Sequence, residues 1–231
     1  MKTIGLIGGM SWESTQTYYR LINERVNESL GGLHSAKILL CSVDFAEIEE
    51  CQAANAWERA GAILADAGAR LEKAGADFIL VCTNTMHKVA PAIASAITIP
   101  LLHIADVTAE RLRAANISKV GLLGTKYTMT QEFYRDRLEQ AGIEVVIPAG
   151  GDIEQVNAVI FKELCQGVVR DASRRKYLEV IDDLKSRGAQ GVILGCTEIG
   201  MLVEQKHVDM PVFDTTIIHA QKAADLATGR A

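Results

Sequence analysis

Two short stretches carry residues able to move protons. Residues 78–87 read FILVCTNTMH and residues 192–200 read VILGCTEIG. Each starts as an apolar run and turns polar at a cysteine. Cys82 is followed by Thr83, Asn84 and Thr85; Cys196 is followed by Thr197 and Glu198. A thiol ionises near pH ~8.5, and helix N-termini or cations bring its basic, nucleophilic thiolate into the physiological range. Cys196 is therefore a candidate proton carrier, against the commoner fate of a free cysteine as inert packing. In the first stretch two residues compete, because strand side chains alternate faces and only one of Cys82 and Thr83 can point into a shared cleft. His87 lies one turn beyond that strand end, where it orients the site or caps a helix. His103 and His219 read as structural. Cys41, Cys51 and Cys165 lack comparable context and read as packing.

Loops near these stretches offer binding groups. GLIGGMS at residues 5–11 is neither GxGxxG nor a Walker loop, since its glycines are Gly5, Gly8 and Gly9. A Gly-rich strand-to-helix turn still presents backbone N–H groups that suit a carboxylate; a tight turn without a ligand is the alternative. GLLGTKYT at residues 121–128 is the later counterpart, where Thr125 and Thr128 are either hydroxyl donors or helix N-caps. SVDFAEIEECQAANAW at residues 42–57 reads as a polar loop plus a helix start, with Gln52 and Asn55 as candidate ligand contacts.

The elements that must position these groups follow from periodicity. Short continuous Val/Ile/Leu runs predict strands at residues 3–7, 37–42, 78–82, 101–103, 120–123, 144–147, 192–194 and 212–213. Such runs mark strands buried on both faces. Helical patterns fall between them at residues 14–30, 57–74, 108–115, 129–141, 153–166, 172–187 and 217–227, and Gly75, Gly142 and Gly188 stand where helices end before strands. Alternation of this kind predicts α/β architecture with parallel sheets.

An internal repeat adds geometry. LEKAGADFILVCTNT (residues 71–85) aligns without gaps to LKSRGAQGVILGCTE (residues 184–198), an offset of 113. IGLIG at residues 4–8 matches VGLLG at 120–124, Tyr18-Tyr19-Arg20 matches Phe133-Tyr134-Arg135, and Pro100 matches Pro211. Four blocks in one order read as a duplicated α/β half. Two such halves are expected to pack about a pseudo-two-fold axis, with their strand C-termini facing an interdomain cleft. In the alignment Thr83 pairs with Cys196, whereas Cys82 pairs with Gly195, which has no side chain. The repeat assigns Thr83 to the cleft. The expected domains are residues 1–105 plus 212–231, and 106–211.

Composition narrows the partners. With 231 residues, 24 basic and 29 acidic side chains well mixed, the chain has no basic face for nucleic acid. No apolar run reaches the ~18–20 residues of a membrane helix, and the start MKTIGLIGGMS is Gly-rich and too short for a signal peptide. Five cysteines without framework spacing, and no CxxC, point to reduced thiols in a cytoplasm and no zinc site.

IGLIGGMSWEST, CTNTMH and GCTEIG together resemble the aspartate/glutamate racemase superfamily over essentially the whole chain. GCTE with Glu198 is similar to its YgeA-type branch of broad-specificity and aspartate/glutamate racemases. The resemblance implies two α/β domains related by a pseudo-two-fold axis. It implies an amino-acid racemase needing neither pyridoxal phosphate nor metal, with aspartate, glutamate or a broader range of amino acids as its small-molecule substrate, and a homodimer is in keeping with it. Two cysteines flank the substrate Cα in the family, one removing the α-proton and the other reprotonating the opposite face. Carried over by motif, Cys196 and Thr83 are the catalytic pair, with Met10 (through its backbone), Gln52, Asn84, Thr85, Thr197 and Glu198 as substrate contacts and no metal ligands. The departure is Thr83, a threonine in the family's first cysteine slot. A hydroxyl is a far weaker acid than a thiol, so a lopsided enzyme is expected, with Cys196 the competent base. Rival expectations are a dicarboxylate isomerase or decarboxylase on the same scaffold, an amino-acid-binding pseudoenzyme, and a Cys-His hydrolase.

Overall fold

The computed structural model describes residues 1–230 and divides into two units, Met1–Ile104 with the chain from His219 onward, and Ala105–Ile218. The chain runs β1 (Ile4–Gly8), α1 (Trp12–Leu30), β2 (Ile38–Ser42), α2 (Phe45–Ala53), α3 (Trp57–Lys73), β3 (Phe78–Val81), a 3₁₀ turn (Thr85–Val89) and α4 (Ala90–Ser95). It continues through α5 (Ile104–Ala114), β4 (Lys119–Gly124), α6 (Lys126–Thr130), α7 (Glu132–Gln140), β5 (Glu144–Val146), α8 (Gly151–Lys162) and α9 (Asp171–Ser186). β6 (Val192–Gly195), α10 (Ile199–Leu202), β7 (Val212–Asp214) and α11 (Thr215–Thr228) complete it.

Each unit holds one all-parallel sheet, ordered β2-β1-β3 in the first and β5-β4-β6-β7 in the second. In both, the opening strand sits between the second and third strands of its half, so the repeat read in the sequence is a repeat of topology. The strand expected at residues 101–103 reduces to a single parallel bridge, Leu101 to Ile79. The Ile79 N–H donates to Pro100 O and the Leu102 N–H to Ile79 O, and α5 begins at Ile104. Its counterpart β7 does pair, through Val192–Val212 to Leu194–Asp214. That pairing corrects the expected boundary: residues 212–218 belong with the second unit. The helix expected at residues 129–141 is two, because Gln131 is extended (φ −96°, ψ 152°) between α6 and α7.

The sheets are buried on both faces, as continuous apolar strands require. In the first unit Ile4, Leu6, Phe78, Leu80 and Cys82 pack with Tyr18, Ile22 and Val26 of α1 and with Ala220, Ala223, Ala224 and Ala227 of α11. On the opposite face Ile7, Ile79 and Val81 meet Ile48 of α2 and Leu64, Ala67 and Leu71 of α3. In the second unit Leu123, Val192, Leu194 and Cys196 share a core with Val156 and Ile160 of α8 and Tyr177, Val180, Ile181 and Leu184 of α9. Gly75, Gly142 and Gly188 have φ of 97°, 81° and 92° after their helices, the left-handed stops that send the chain into the next strand. Among the described residues no helix is long and apolar enough to cross a membrane.

Candidate active site

The strand alternation settles which face each candidate occupies. Phe78, Leu80 and Cys82 alternate onto the face covered by α1 and α11, while Ile79 and Val81 face α2 and α3. Thr83 follows in phase with Ile79 and Val81. In the second unit Val192, Leu194 and Cys196 are the in-phase set, against α8 and α9. Thr83 and Cys196 thus stand at the same step beyond equivalent strands of their own sheets. Cys82 is wholly buried, and burial pushes its thiol far above the ordinary range. Thr83 is half-buried.

Around Thr83 the first unit builds a tight polar shell. His87 Nε2 accepts from the Ile104 N–H at 3.3 Å, so Nδ1 carries the proton and donates to Thr83 O at 2.8 Å. His103 stacks edge-on at 4.5 Å between ring centroids, and His219 lies 5.8 Å away. Burial and the neighbouring imidazoles hold His87 well below the usual histidine range. His219 is saturated the same way. Its Nε2–H donates to Leu102 O at 2.9 Å and its Nδ1 accepts from the Tyr18 hydroxyl at 2.8 Å. Asn84 and Thr85 are buried as the chain enters its 3₁₀ turn. Gln52 reaches the same segment from α2, its Nε2 3.1 Å from Met86 Sδ.

The Gly-rich loop is committed locally. A Cβ at Gly9 (φ 93°) would lie 2.1 Å from Val43 O, so only glycine lets this loop press onto the end of β2. The Gly9 N–H donates to Thr15 Oγ1 at 2.8 Å, and Ser11 N-caps α1 through Ser14 N at 3.3 Å. The Gly9 N–H is thereby spent inside the loop and drops out of the backbone donors expected there. The Met10 side chain is buried in the core beside Ile7 and Ile48. Thr125 is an N-cap as well, accepting from Thr128 N at 3.3 Å.

The second unit gathers its groups more closely. Cys196 Sγ donates to Glu198 Oε2 at 3.0 Å, and Thr197 Oγ1 donates to the same oxygen at 2.6 Å. Burial and the adjacent Glu198 carboxylate raise the Cys196 thiol well above its ordinary range. Close glycines keep side chains out of the strand ends. A Cβ at Gly195 would sit 2.8 Å from Leu123 O, and one at Gly124 would sit 2.9 Å from Gly195 O.

The Asp/Glu/Hydantoin racemase family model matches residues 7–223. The chain belongs to the Asp/Glu/hydantoin racemase family. A crystal structure of a Yersinia pestis protein described as a candidate Asp/Glu racemase superimposes with TM-score 0.94 at 56% identity, covering 99% of this chain and 100% of that one. PH1733, an aspartate racemase homologue from Pyrococcus horikoshii OT3, gives TM-score 0.87 at 37% identity, covering 99% of this chain and 100% of that one. The broad specificity amino-acid racemase RacX of Bacillus subtilis is 26% identical over 153 residues, 65% of this chain and 65% of its own length.

Within this racemase-family chain, Thr83, Asn84 and Thr85 share a segment with Gln52 and the histidine cluster, whereas Cys196, Thr197 and Glu198 form a hydrogen-bonded set. Two residues escaped the sequence reading. Asp214, at the C-terminal end of β7, caps α11 through Thr216 N at 2.8 Å and Ile217 N at 3.2 Å. Its Oδ2 lies 2.6 Å from where a Cβ at Gly200 would be, and burial raises its carboxyl. The Asp-Thr-Thr that follows the apolar pair is the capping signal that could have found it. Lys88 places its Nζ 3.8 Å from the centre of the Trp57 ring, with partial desolvation lowering its ammonium. Arg59 pairs with Glu47 at 2.9 Å. Among the described residues no three His, Cys, Asp or Glu side chains gather as a metal site.

Proposed function

We propose that this chain is an amino-acid racemase acting on aspartate, glutamate or a related α-amino acid, without pyridoxal phosphate or metal, with Cys196 and Thr83 as its two proton-handling residues. The observation that carries this reading is the matched placement of the two, in phase at the same step beyond equivalent parallel strands, where α/β sheets set their ligands. Inversion at Cα needs a proton removed from one face and another delivered to the opposite face. Cys196 as thiolate removes the α-proton, and the Thr83 hydroxyl, replenished through water, protonates the other side. The carbanionic intermediate is enolate-like, and its stabilisation requires donors on the substrate carboxylate. Asn84, Thr85, Gln52, the Thr197 hydroxyl and the backbone at Met10 and Ser11 supply candidates. His87 supports this by fixing the Thr83 carbonyl and so the direction of its side chain.

The test is a substrate panel in deuterated solvent, with L- and D-aspartate, L- and D-glutamate, neutral amino acids and maleate, run on wild type and Cys196→Ser. The expected result is racemisation with α-deuterium incorporation, lost in Cys196→Ser by about 10²-fold or more. Loss of carbon dioxide or maleate isomerisation would replace the reading with a sister chemistry. Thermal stabilisation by an amino acid without deuterium uptake would replace it with a binding protein. Unequal exchange kinetics from the two enantiomers are expected of a thiol facing a hydroxyl, although the equilibrium ratio is one.

A further inference from the structure

We propose that Lys88 is a specificity-determining residue of the first unit: its ammonium binds the side-chain carboxylate of a dicarboxylic amino acid, so that aspartate and glutamate are preferred over neutral substrates. This rests on the racemase reading above and deepens it by naming the substrate class. The 3₁₀ turn that follows β3 sets the geometry. Side chains three residues apart eclipse one another along such a turn. Met86 and Val89 form one such pair, and both enter the core against α2 and α3. Thr85 and Lys88 form the next. Lys88 therefore projects along the same edge as a candidate substrate contact, one residue beyond the His87 ring that holds Thr83 O.

What holds Lys88 there is an aromatic face and not an acid. Nζ stands 3.8 Å over the centre of the Trp57 ring. The ring is fixed in turn, its Nε1–H donating to Asn55 Oδ1 at 2.5 Å. Asn55 sits in a left-handed turn (φ 55°) just after Gln52, whose Nε2 meets Met86 Sδ at 3.1 Å. The loop between α2 and α3 thus grips the 3₁₀ turn along two of its edges. An indole face keeps a cation in place without neutralising it. Among the described residues no carboxylate pairs with Lys88, whereas Arg59, at the same end of the sheet, is taken by Glu47 at 2.9 Å. Lys2, Lys37 and Lys73 precede β1, β2 and β3, toward the opposite end of the strands. Partial burial strips water from the Lys88 ammonium and lowers its pKa. A substrate carboxylate offsets that loss, meeting the N–H donors turned away from the ring.

The experiment compares wild type with Lys88→Met, which keeps an apolar stem on Trp57 and removes the charge, and with Lys88→Arg. KM and kcat are measured for aspartate, glutamate and alanine, and succinate binding is followed by calorimetry. Inversion leaves the side-chain carboxylate unchanged, so loss of its partner is read in KM. Lys88→Met is expected to raise KM for aspartate and glutamate about 10- to 100-fold, the scale of a hydrogen bond to a charged group. It should weaken succinate in parallel and leave kcat and the constants for alanine near wild type. Lys88→Arg should recover most of the loss. Unchanged KM for aspartate and glutamate overturns the assignment. So does an equal loss for alanine, or a fall in kcat alone, either of which makes Lys88 part of the fold. A wild type that turns over alanine as well as the dicarboxylic amino acids overturns it too. A wild type that neither racemises nor exchanges α-protons with any substrate overturns the racemase reading, and succinate then decides Lys88 by itself. Succinate bound about tenfold or more weakly by Lys88→Met upholds the subsite, and succinate bound equally by both proteins, or by neither, removes it.

Discussion

Acid should unfold the first unit earlier than its carboxylates alone require, and His219 lets the size be worked out. Its ring has no room for a second proton. Nε2–H is bonded to Leu102 O, Nδ1 accepts from the Tyr18 hydroxyl, and the ring is wholly buried. Burial, with His103 nearby, pushes its pKa down to about 3. The unfolded chain binds that proton near pH ~6.5. A base whose folded pKa is depressed leaves stability intact above the unfolded value and costs stability as pH falls from there toward the folded value. At ~1.36 kcal/mol per pH unit, the loss between pH ~6.5 and ~5 is about 2 kcal/mol from His219. His87 acts in the same direction. The assay is urea unfolding from pH 8 to 5 followed by tryptophan fluorescence, since both tryptophans, Trp12 and Trp57, lie in the first unit. His219→Gln forfeits hydrogen bonds, so it starts roughly 1–3 kcal/mol less stable at neutral pH. It has no proton to bind, and its deficit should shrink by about 1.4 kcal/mol per pH unit below pH ~6.5. Parallel stability curves for the two proteins would refute the reasoning.

Three substitutions check the division of labour at the strand ends. Cys82→Ala should leave kcat unchanged and cost about 1 kcal/mol in thermal or urea unfolding, the price of a small core deletion; a collapse of turnover would return the catalytic slot to Cys82. Thr83→Val keeps the shape and removes the hydroxyl, and should lower kcat about 10²-fold, while Thr83→Ser stays within about tenfold of wild type. Gly195→Ala sets a methyl 2.8 Å from Leu123 O. It should destabilise the second unit by about 1–3 kcal/mol, read as a lowered unfolding midpoint.

Much of this arrangement was legible in the chain because burial on both faces writes strands as unbroken Val/Ile/Leu runs. The pairing of Thr83 with Cys196 came from aligning two such runs, and the alternation of Phe78, Leu80 and Cys82 against Ile79 and Val81 gives the same phase in three dimensions. What stayed hidden depends on partners far away in sequence. Periodicity placed residues 101–103 and 212–213 on the same footing, yet the former makes a single bridge to Ile79 while the latter pairs with β6 as a strand, a difference of strand pairing that local spacing does not write. The break at Gln131 has neither proline nor glycine to announce it. The three histidines look scattered at positions 87, 103 and 219, and only folding brings their rings within 5.8 Å of one another along the line from His103 through His87 to His219. The direction of the Glu198 side chain, toward the thiol, is a rotamer choice that no spacing encodes.

The use of α11 to cover the first sheet has a consequence for synthesis. The face formed by Ile4, Leu6, Phe78 and Leu80 is closed by Ala220, Ala223, Ala224 and Ala227. Lys2 N to Ala227 O at 2.9 Å and Arg25 to Asp225 at 2.8 Å tie residues made before the second unit to residues made after it. A nascent chain emerging from the ribosome therefore has every residue of its second unit before the first unit can be completed, an inversion of the usual N-terminal-first order. Until His219 and the turns after it emerge, the strands of the first sheet present an apolar face with its cover still unmade. That waiting interval is when this chain is most open to a chaperone or to its own aggregation.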